Sequence, residues 1–393
     1  MSFELDMMQT MAVGILALLL GEHMNRKLKF LSRICIPAPV TGGLIFSVIT
    51  LILYLAGGIE ISFNGTLKDI CMIMFFTTVG FQSDLKVLRK GGRPLVVLVC
   101  LVAVLITIQN FVGIGLARAI GTDPLVGMAA GSITMCGGHG TAAGFSSLLE
   151  SKGLSSAATV TMAAATFGLL GGSLIGGPLA ERIVRRRNLA TTEDEGKWTW
   201  HEDDSLKTSS SYAKAVFEIF LAAGIGTLIS KLLALTGLSF PSYFGALVTA
   251  VIIRNVAGKI PGIPKPSMVE IQSIGDISLS LFLGMAMVSL RLWELSGLAL
   301  PLLLILSVQV VIMALFARFV AFPLLGRNYD AAVLVSGICG FGLGATPNAM
   351  ANMSAVCSKY RYATMPFVIV PIVGAMFVDL INIGVISLFL SFI

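Results

Sequence analysis

Two short runs of small residues carry most of the chemistry available to this chain. The first reads Gly131-Ser132-Ile133-Thr134-Met135-Cys136-Gly137-Gly138-His139-Gly140-Thr141, and the second Gly337-Ile338-Cys339-Gly340-Phe341-Gly342-Leu343-Gly344-Ala345-Thr346-Pro347-Asn348. Glycine costs about 1 kcal/mol per interior helical position relative to alanine, so each run is expected to interrupt a helix. In hydrocarbon an irregular backbone survives only where protein or a water-filled cavity surrounds it. Amides freed at such a break, together with half-helix N-termini, favour carboxylates, while freed carbonyls favour cations. A pair of breaks therefore suits a small anion travelling with Na+. Ser132, Thr134, Thr141, Thr346 and Asn348 would add neutral donors without a permanent buried charge. The main chain of Gly137, Gly138, Gly140, Gly342 and Gly344, with Pro347, completes the candidate substrate site. One Gly-rich run alone could equally mark close helix packing; two in corresponding positions argue for breaks.

Ionisable and amide groups inside apolar segments are costly and so are functional candidates. His139 is the one histidine within either run, and it would either meet a carboxylate or cap the broken helix. Asp379 and Asn382 share one face of the last helix and would hold Na+ or tie helices together. Gln109 and Gln309 stand just ahead of the two runs and are open to the same two readings, as is the carbonyl of Gly340. Asp69 and Asp276 open apolar helices, where capping or a functional role would explain them. Arg291 and Glu294 read as interfacial anchors, and Arg254 and Arg318 as snorkelling side chains.

The elements that must position these groups follow from composition. Of 393 residues, 56% are hydrophobic and 12% charged, with a mean hydropathy of +0.91; a soluble domain carries about 25% charged residues. The chain is therefore an integral membrane protein. A net charge of +6 spread over many loops excludes nucleic acid as a main partner. The six cysteines form no Cys-x-x-Cys or zinc spacing and read as small buried thiols. Glu4 and Asp6 precede the first apolar run, which is expected to be a retained helix rather than a cleaved signal.

About 20 apolar residues cross a bilayer, and ten segments qualify, near 7–25, 38–57, 66–84, 94–117, 158–180, 213–236, 241–258, 272–290, 298–322 and 365–391. Two more, 124–149 and 330–357, are long enough but contain the Gly-rich runs. If each of these enters and leaves on one side, 22 of the 27 Lys and Arg residues gather on a single face. The positive-inside rule then places both termini outside and the 181–212 loop in the cytoplasm. Each of the two segments is thus expected to be re-entrant, as a broken dip or a helix hairpin.

The halves of the chain echo each other. Asp69-Ile70 precedes Asp276-Ile277 by 207 residues, and Asp123 precedes Asp330 by the same interval. Five spans per half, an odd number, turn the second half upside down relative to the first, the architecture of secondary transporters. The fold class expected is all-α integral membrane, with ten helices in two inverted five-helix repeats. Residues 1–180 form the N-terminal repeat, 181–212 a solvated cytoplasmic linker, and 213–393 the C-terminal repeat.

The strings Gly137-Gly138-His139-Gly140-Thr141 and Gly340-Phe341-Gly342-Leu343-Gly344-Ala345-Thr346-Pro347 resemble the paired motifs of the bacterial sodium/glutamate symporter family. So do Ile36-Pro37-Ala38-Pro39-Val40-Thr41-Gly42-Gly43 and Asn328-Tyr329-Asp330-Ala331-Ala332, so the resemblance runs over essentially the whole chain. Cys136 is a departure, since the family often carries Ser there, and a thiol is a weaker donor. The resemblance implies Na+-coupled uptake of L-glutamate across the bacterial inner membrane. It also implies a homodimer in which a transport part slides against a fixed scaffold, elevator fashion, with Na+ as co-transported ion and no organic cofactor.

Other functions fit less of the sequence. Tyr329-Asp330 and Gly342-Leu343-Gly344 resemble intramembrane aspartyl protease motifs, but Ala345 stands where the second carboxylate is required. A channel would be a symmetric oligomer around one filter. A cation/proton antiporter needs a titratable carboxylate in the Gly-rich runs, and neither has one. A Na+ symporter of aspartate or a dicarboxylate remains open, because the choice of glutamate comes from the resemblance alone.

Overall fold

The computed structural model describes residues 2–28, 36–84, 92–189, 209–234, 240–257 and 266–393. Most of the expected 181–212 linker, and the loop residues Lys29, Arg33, Lys86, Arg89, Lys90, Lys259 and Lys265, lie outside the described residues. In chain order the helices are α1 (Met7–Lys27), α2 (Ala38–Gly57), α3 (Thr66–Gln82), α4 (Gly92–Ala119), α5 (Pro124–Ala129), α6 (Gly138–Ser151) and α7 (Ala157–Arg186). Then follow α8 (Ser209–Ala234), α9 (Phe244–Val256), α10 (Met268–Val288), α11 (Ala299–Leu324), α12 (Tyr329–Gly342), α13 (Thr346–Cys357) and α14 (Thr364–Leu390). Strands β1 (Ser2–Leu5) and β2 (Glu60–Phe63) pair in parallel beside the start of α1, a ladder absent from the all-α expectation. Asp6 then opens α1 with a capping box, its carboxylate accepting from the Gln9 amide.

Among the described residues, eight helices are long and apolar enough to cross a membrane: α1, α2, α4, α7, α8, α10, α11 and α14. The other two expected spans are shorter. α3 has 17 residues and α9 has 13, giving lengths of about 26 and 20 Å at 1.5 Å per residue, against a hydrocarbon core of about 30 Å. Two long helices change their winding. α11 turns π-helical at Ala317–Ala321, and α14 at Val373–Val378, just after Pro371 and just before Asp379. Pro371 has no N–H to give to the preceding turn, which loosens the ladder there.

Both halves follow one element order: three helices, a long helix, a helix interrupted at its Gly-rich run, and a second long helix. The first three helices of each half (α1, α2, α3 with α8, α9, α10) pack together, and the remainder (α4–α7 with α11–α14) form a second group. Small residues set the closeness of the first group. A Cβ on Gly21 would strike the Ala38 carbonyl, and one on Gly42 the Ala17 carbonyl, so α1 and α2 approach backbone to backbone. The second group surrounds the two interruptions.

Candidate functional site

Each interruption is built by local sequence. Asp123 caps α5, its carboxylate accepting from the Leu125 amide at 2.8 Å, with Pro124 in the first turn where no N–H is needed. After six residues α5 gives way to turns over 130–137, and α6 starts at Gly138. Gly138 has φ +58°, and a Cβ there would run into the Gly344 carbonyl; both facts require glycine. In the second half Asn328 caps α12 through the Ala331 amide at 2.9 Å, and α13 restarts at Thr346 with Pro347 in its first turn.

α12 and α13 fold back on each other as a hairpin. Gly340 sits against Ala349, the Asn352 amide donates to the Ser336 carbonyl at 3.3 Å, and the Tyr329 hydroxyl donates to the Arg361 carbonyl at 2.6 Å. Those pairings run antiparallel and bring the two ends of the segment together. At the end of the first segment Lys152 donates to the Leu390 carbonyl of α14 at 2.7 Å, and the neighbouring Phe389 packs edge-on against Phe111 of α4.

The two interruptions meet. Gln109 donates to the Gly342 carbonyl at 2.7 Å, Cys136 approaches the same oxygen at 3.8 Å, and Gly138 lies against Gly344. Beside this junction is a cavity of about 270 Å³. On one side are Gly137, Gly138, His139, Gly140 and Thr141 from the first break, then Gly344, Thr346, Pro347 and Asn348 from the second, with Asp379 of α14. Opposite stand Phe75, Phe76 and Val79 of α3 with Leu279 and Leu283 of α10. The cavity therefore lies between the two packing groups.

Its electrostatics are set by backbone more than by side chains. Among the described residues no Lys or Arg lines it, and Asp379 is its one carboxylate. α6 and α13 both begin at its wall, and neither N-terminus has a side-chain cap. First-turn amides have no intrahelical acceptor, and two helix N-termini together present partial positive charge to the space. Asp379 accepts a 3.4 Å hydrogen bond from Thr141. Two cavity residues are committed elsewhere. Asn348 accepts from Ser173 at 2.7 Å and donates to the Leu169 carbonyl at 3.2 Å, which braces α13 on α7. His139 Nε2 lies 3.0 Å from Thr166 Oγ1, within hydrogen-bonding range, and Thr166 Oγ1 is also 2.9 Å from the Met162 carbonyl.

The remaining expected site residues form a buried layer behind the cavity. Thr134 donates to the Ala129 carbonyl at 2.7 Å, so its hydroxyl serves the turn. The Ser132 amide donates to Asn110 Oδ1 at 2.9 Å, and Asn382 donates to the Ser132 carbonyl at 3.0 Å. Gln309 donates to the Gln109 carbonyl at 2.7 Å. Gly342 is an acceptor in this layer, and Gly340 serves helix packing against Ala349. Four oxygens of the layer, Gln109 Oε1, Gln309 Oε1, Asn382 Oδ1 and Ser132 Oγ, are buried without a hydrogen-bond partner, as is the amide nitrogen of Asn110. Asn110, Thr166 and Ser173 escaped the sequence reading. Asn110 was findable as a second amide beside Gln109, whereas Thr166 and Ser173 look like ordinary helix residues until their partners are known.

Residues 3–362 match the family model described as Sodium/glutamate symporter. The chain is 42% identical over 394 aligned residues to a sodium/glutamate symporter of Escherichia coli (strain K12), covering 99% of this chain and 98% of that one. It is 39% identical over 392 residues to a sodium/glutamate symporter of Haemophilus influenzae (strain ATCC 51907 / DSM 11121 / KW20 / Rd), covering 97% and 96%. These relatives are named as transporters rather than enzymes, as the reading of the sequence expected.

Proposed function

The chain belongs to the sodium/glutamate symporter family, and from that premise we propose that this multi-pass membrane protein takes up L-glutamate together with Na+ across the bacterial inner membrane. The observation that carries the reading is the convergence of two uncapped helix N-termini and one carboxylate in a single cavity. Glutamate has two carboxylates and one ammonium. The first turns of α6 and α13 supply amides for the carboxylates, with the Thr346 and Thr141 hydroxyls beside them. Asp379 faces the ammonium, which a buried anion favours. The sequence had suggested Asp379 for Na+. In this assignment Na+ goes to the buried layer, where Asn382, Ser132, Gln109 and Gln309 offer oxygens in need of a partner.

The same reading makes α3 and α9 crossings despite their length, for ten spans in two inverted repeats of residues 1–180 and 213–393 around a cytoplasmic 181–212 linker. The segments 124–149 and 330–357 are then re-entrant, one from each face. The group α1–α3 with α8–α10 is the scaffold, through which two copies would dimerise. The group carrying the breaks is the part that slides, elevator fashion, because the cavity lies between the groups and its far wall is uncharged and mostly apolar, with Gln82 its polar member. A tenfold Na+ gradient supplies about 1.4 kcal/mol per ion, and each net charge moved inward adds about 2.3 kcal/mol per 100 mV.

Uptake of labelled L-glutamate into proteoliposomes, with and without an inward Na+ gradient and in competition with aspartate, citrate and glutamine, tests this directly. Accumulation that requires Na+ and yields only to glutamate-like compounds is the expected result. Uptake indifferent to Na+ would remove the coupling ion, and competition by citrate would move the substrate to carboxylates without an amino group.

A further inference from the structure

Away from the substrate cavity, the C-terminal end of α7 and the π-helical stretch of α11 enclose a second space of about 120 Å³. Arg186, Arg187 and Arg318 line it together with Phe319 and Phe322. Arg187 lies over the Phe322 ring at 5.2 Å and Arg318 over the Phe319 ring at 5.6 Å, an arrangement that fixes the guanidinium planes and leaves their N–H edges available. None of the three forms an ion pair among the described residues, and Glu181, one turn back on α7, is paired with Lys359.

A helix C-terminus accounts for cations at the end of α7, but Arg318 comes from a different helix. Three like charges around one small cleft call for an anion between them. A guanidinium fork matches the oxygens of a phosphate. From Phe319 in the cleft an apolar stripe runs along one face of α11: Val311, Leu315 and Phe319 stand one turn apart and are 57%, 50% and 64% exposed. The occupant therefore has an anionic head at the charged end and an apolar body along the helix.

We propose that this cleft binds the phosphodiester headgroup of an anionic phospholipid, its chains lying along Val311, Leu315 and Phe319. The bound lipid holds the ends of α7 and α11, both in the group that carries the breaks, at the level of the headgroups. The proposal rests on the membrane reading of these helices and not on the substrate, so it stands or falls apart from the assignment of glutamate.

Native mass spectrometry of the delipidated full chain, titrated with phosphatidylglycerol, cardiolipin, phosphatidylcholine or inorganic phosphate, provides the test. The expected result is retention of the two anionic lipids over phosphatidylcholine. Arg187→Gln and Arg318→Gln should each weaken it about fivefold and the pair about thirtyfold. The pair Arg26→Gln and Lys27→Gln, at the end of α1, should leave it unchanged. Arg187→Lys with Arg318→Lys, which keeps the charge and the fold but loses the fork, should give an intermediate loss. Equal lipid retention by wild type and the Gln pair would overturn the proposal, and so would inorganic phosphate binding as tightly as the lipids. Retention that appears only after Glu193, Asp194 and Glu195 are changed to Gln would also overturn it, since the chain's own acidic run would then be the occupant.

Discussion

Gln109 and Gly342 are 233 residues apart, yet the side-chain amide of the first donates to the carbonyl of the second at 2.7 Å. The contact ties a helix of the first half to the broken tip of the second. Gln309, on a long helix of the second half, donates in turn to the Gln109 carbonyl at 2.7 Å. One long helix from each half is thus tied in at the junction of the interruptions, and the cavity lies beside it.

Changing Gln109 to Leu removes the donor and leaves the Gly342 carbonyl buried without it. A stranded buried acceptor costs about 1–3 kcal/mol, so the variant should unfold at lower temperature in detergent and transport more slowly. An unchanged unfolding midpoint would show that the tip does not depend on this bond.

Asp379→Asn keeps the shape of the cavity and removes its negative charge. If the carboxylate meets the ammonium, the KM for glutamate should rise about 10- to 150-fold, the worth of a charged hydrogen bond. Uptake of glutarate, which lacks the amino group, should rise, with its Na+ dependence intact. A variant whose demand for Na+ shifts equally for both substrates would instead return Asp379 to the ion.

Gly138→Ala places a side chain at φ +58° and against the Gly344 carbonyl. The left-handed backbone alone costs about 1–2 kcal/mol, and the collision adds to it by separating the two breaks. Uptake should be abolished. Gly115→Ala on α4, where a Cβ meets nothing within 4 Å, should retain full uptake and gain up to about 1 kcal/mol of helix stability.

Tyr329→Phe deletes the hydroxyl that donates to the Arg361 carbonyl at 2.6 Å and closes the base of the α12–α13 hairpin. The expected loss is about 1 kcal/mol of stability, with a KM close to wild type because the base is remote from the cavity. Hydrogen exchange over residues 358–363 should quicken. A large change in KM would mean that the base and the tip move together.

Much of this arrangement is legible along the chain. Glycine and proline punctuate Gly131–Thr141 and Gly337–Asn348 strongly enough to announce both interruptions, since helix propensity is a local property. The 207-residue interval from Asp69 to Asp276 and from Asp123 to Asp330 goes with the element order the two halves share. Asp379 stands out because a carboxylate inside an apolar helix is costly wherever that helix goes. What the chain alone leaves open is the direction in which each polar atom is spent. Ser132, Thr134 and Asn348 all look like ligands on paper; folded, Thr134 serves its own turn, the backbone of Ser132 is taken by Asn110 and Asn382, and Asn348 braces α13 on α7. Those of Ser132 and Asn348 depend on partners 22 to 250 residues away. The apolar far wall, Phe75 and Leu283 among it, is likewise indistinguishable in sequence from any lipid-facing helix. Hydropathy and propensity act within a few residues and so determine where the helices lie and where they break. Packing brings distant atoms into hydrogen-bonding range, and only the tertiary structure decides which polar groups are spent on other protein groups and which remain free to meet a ligand.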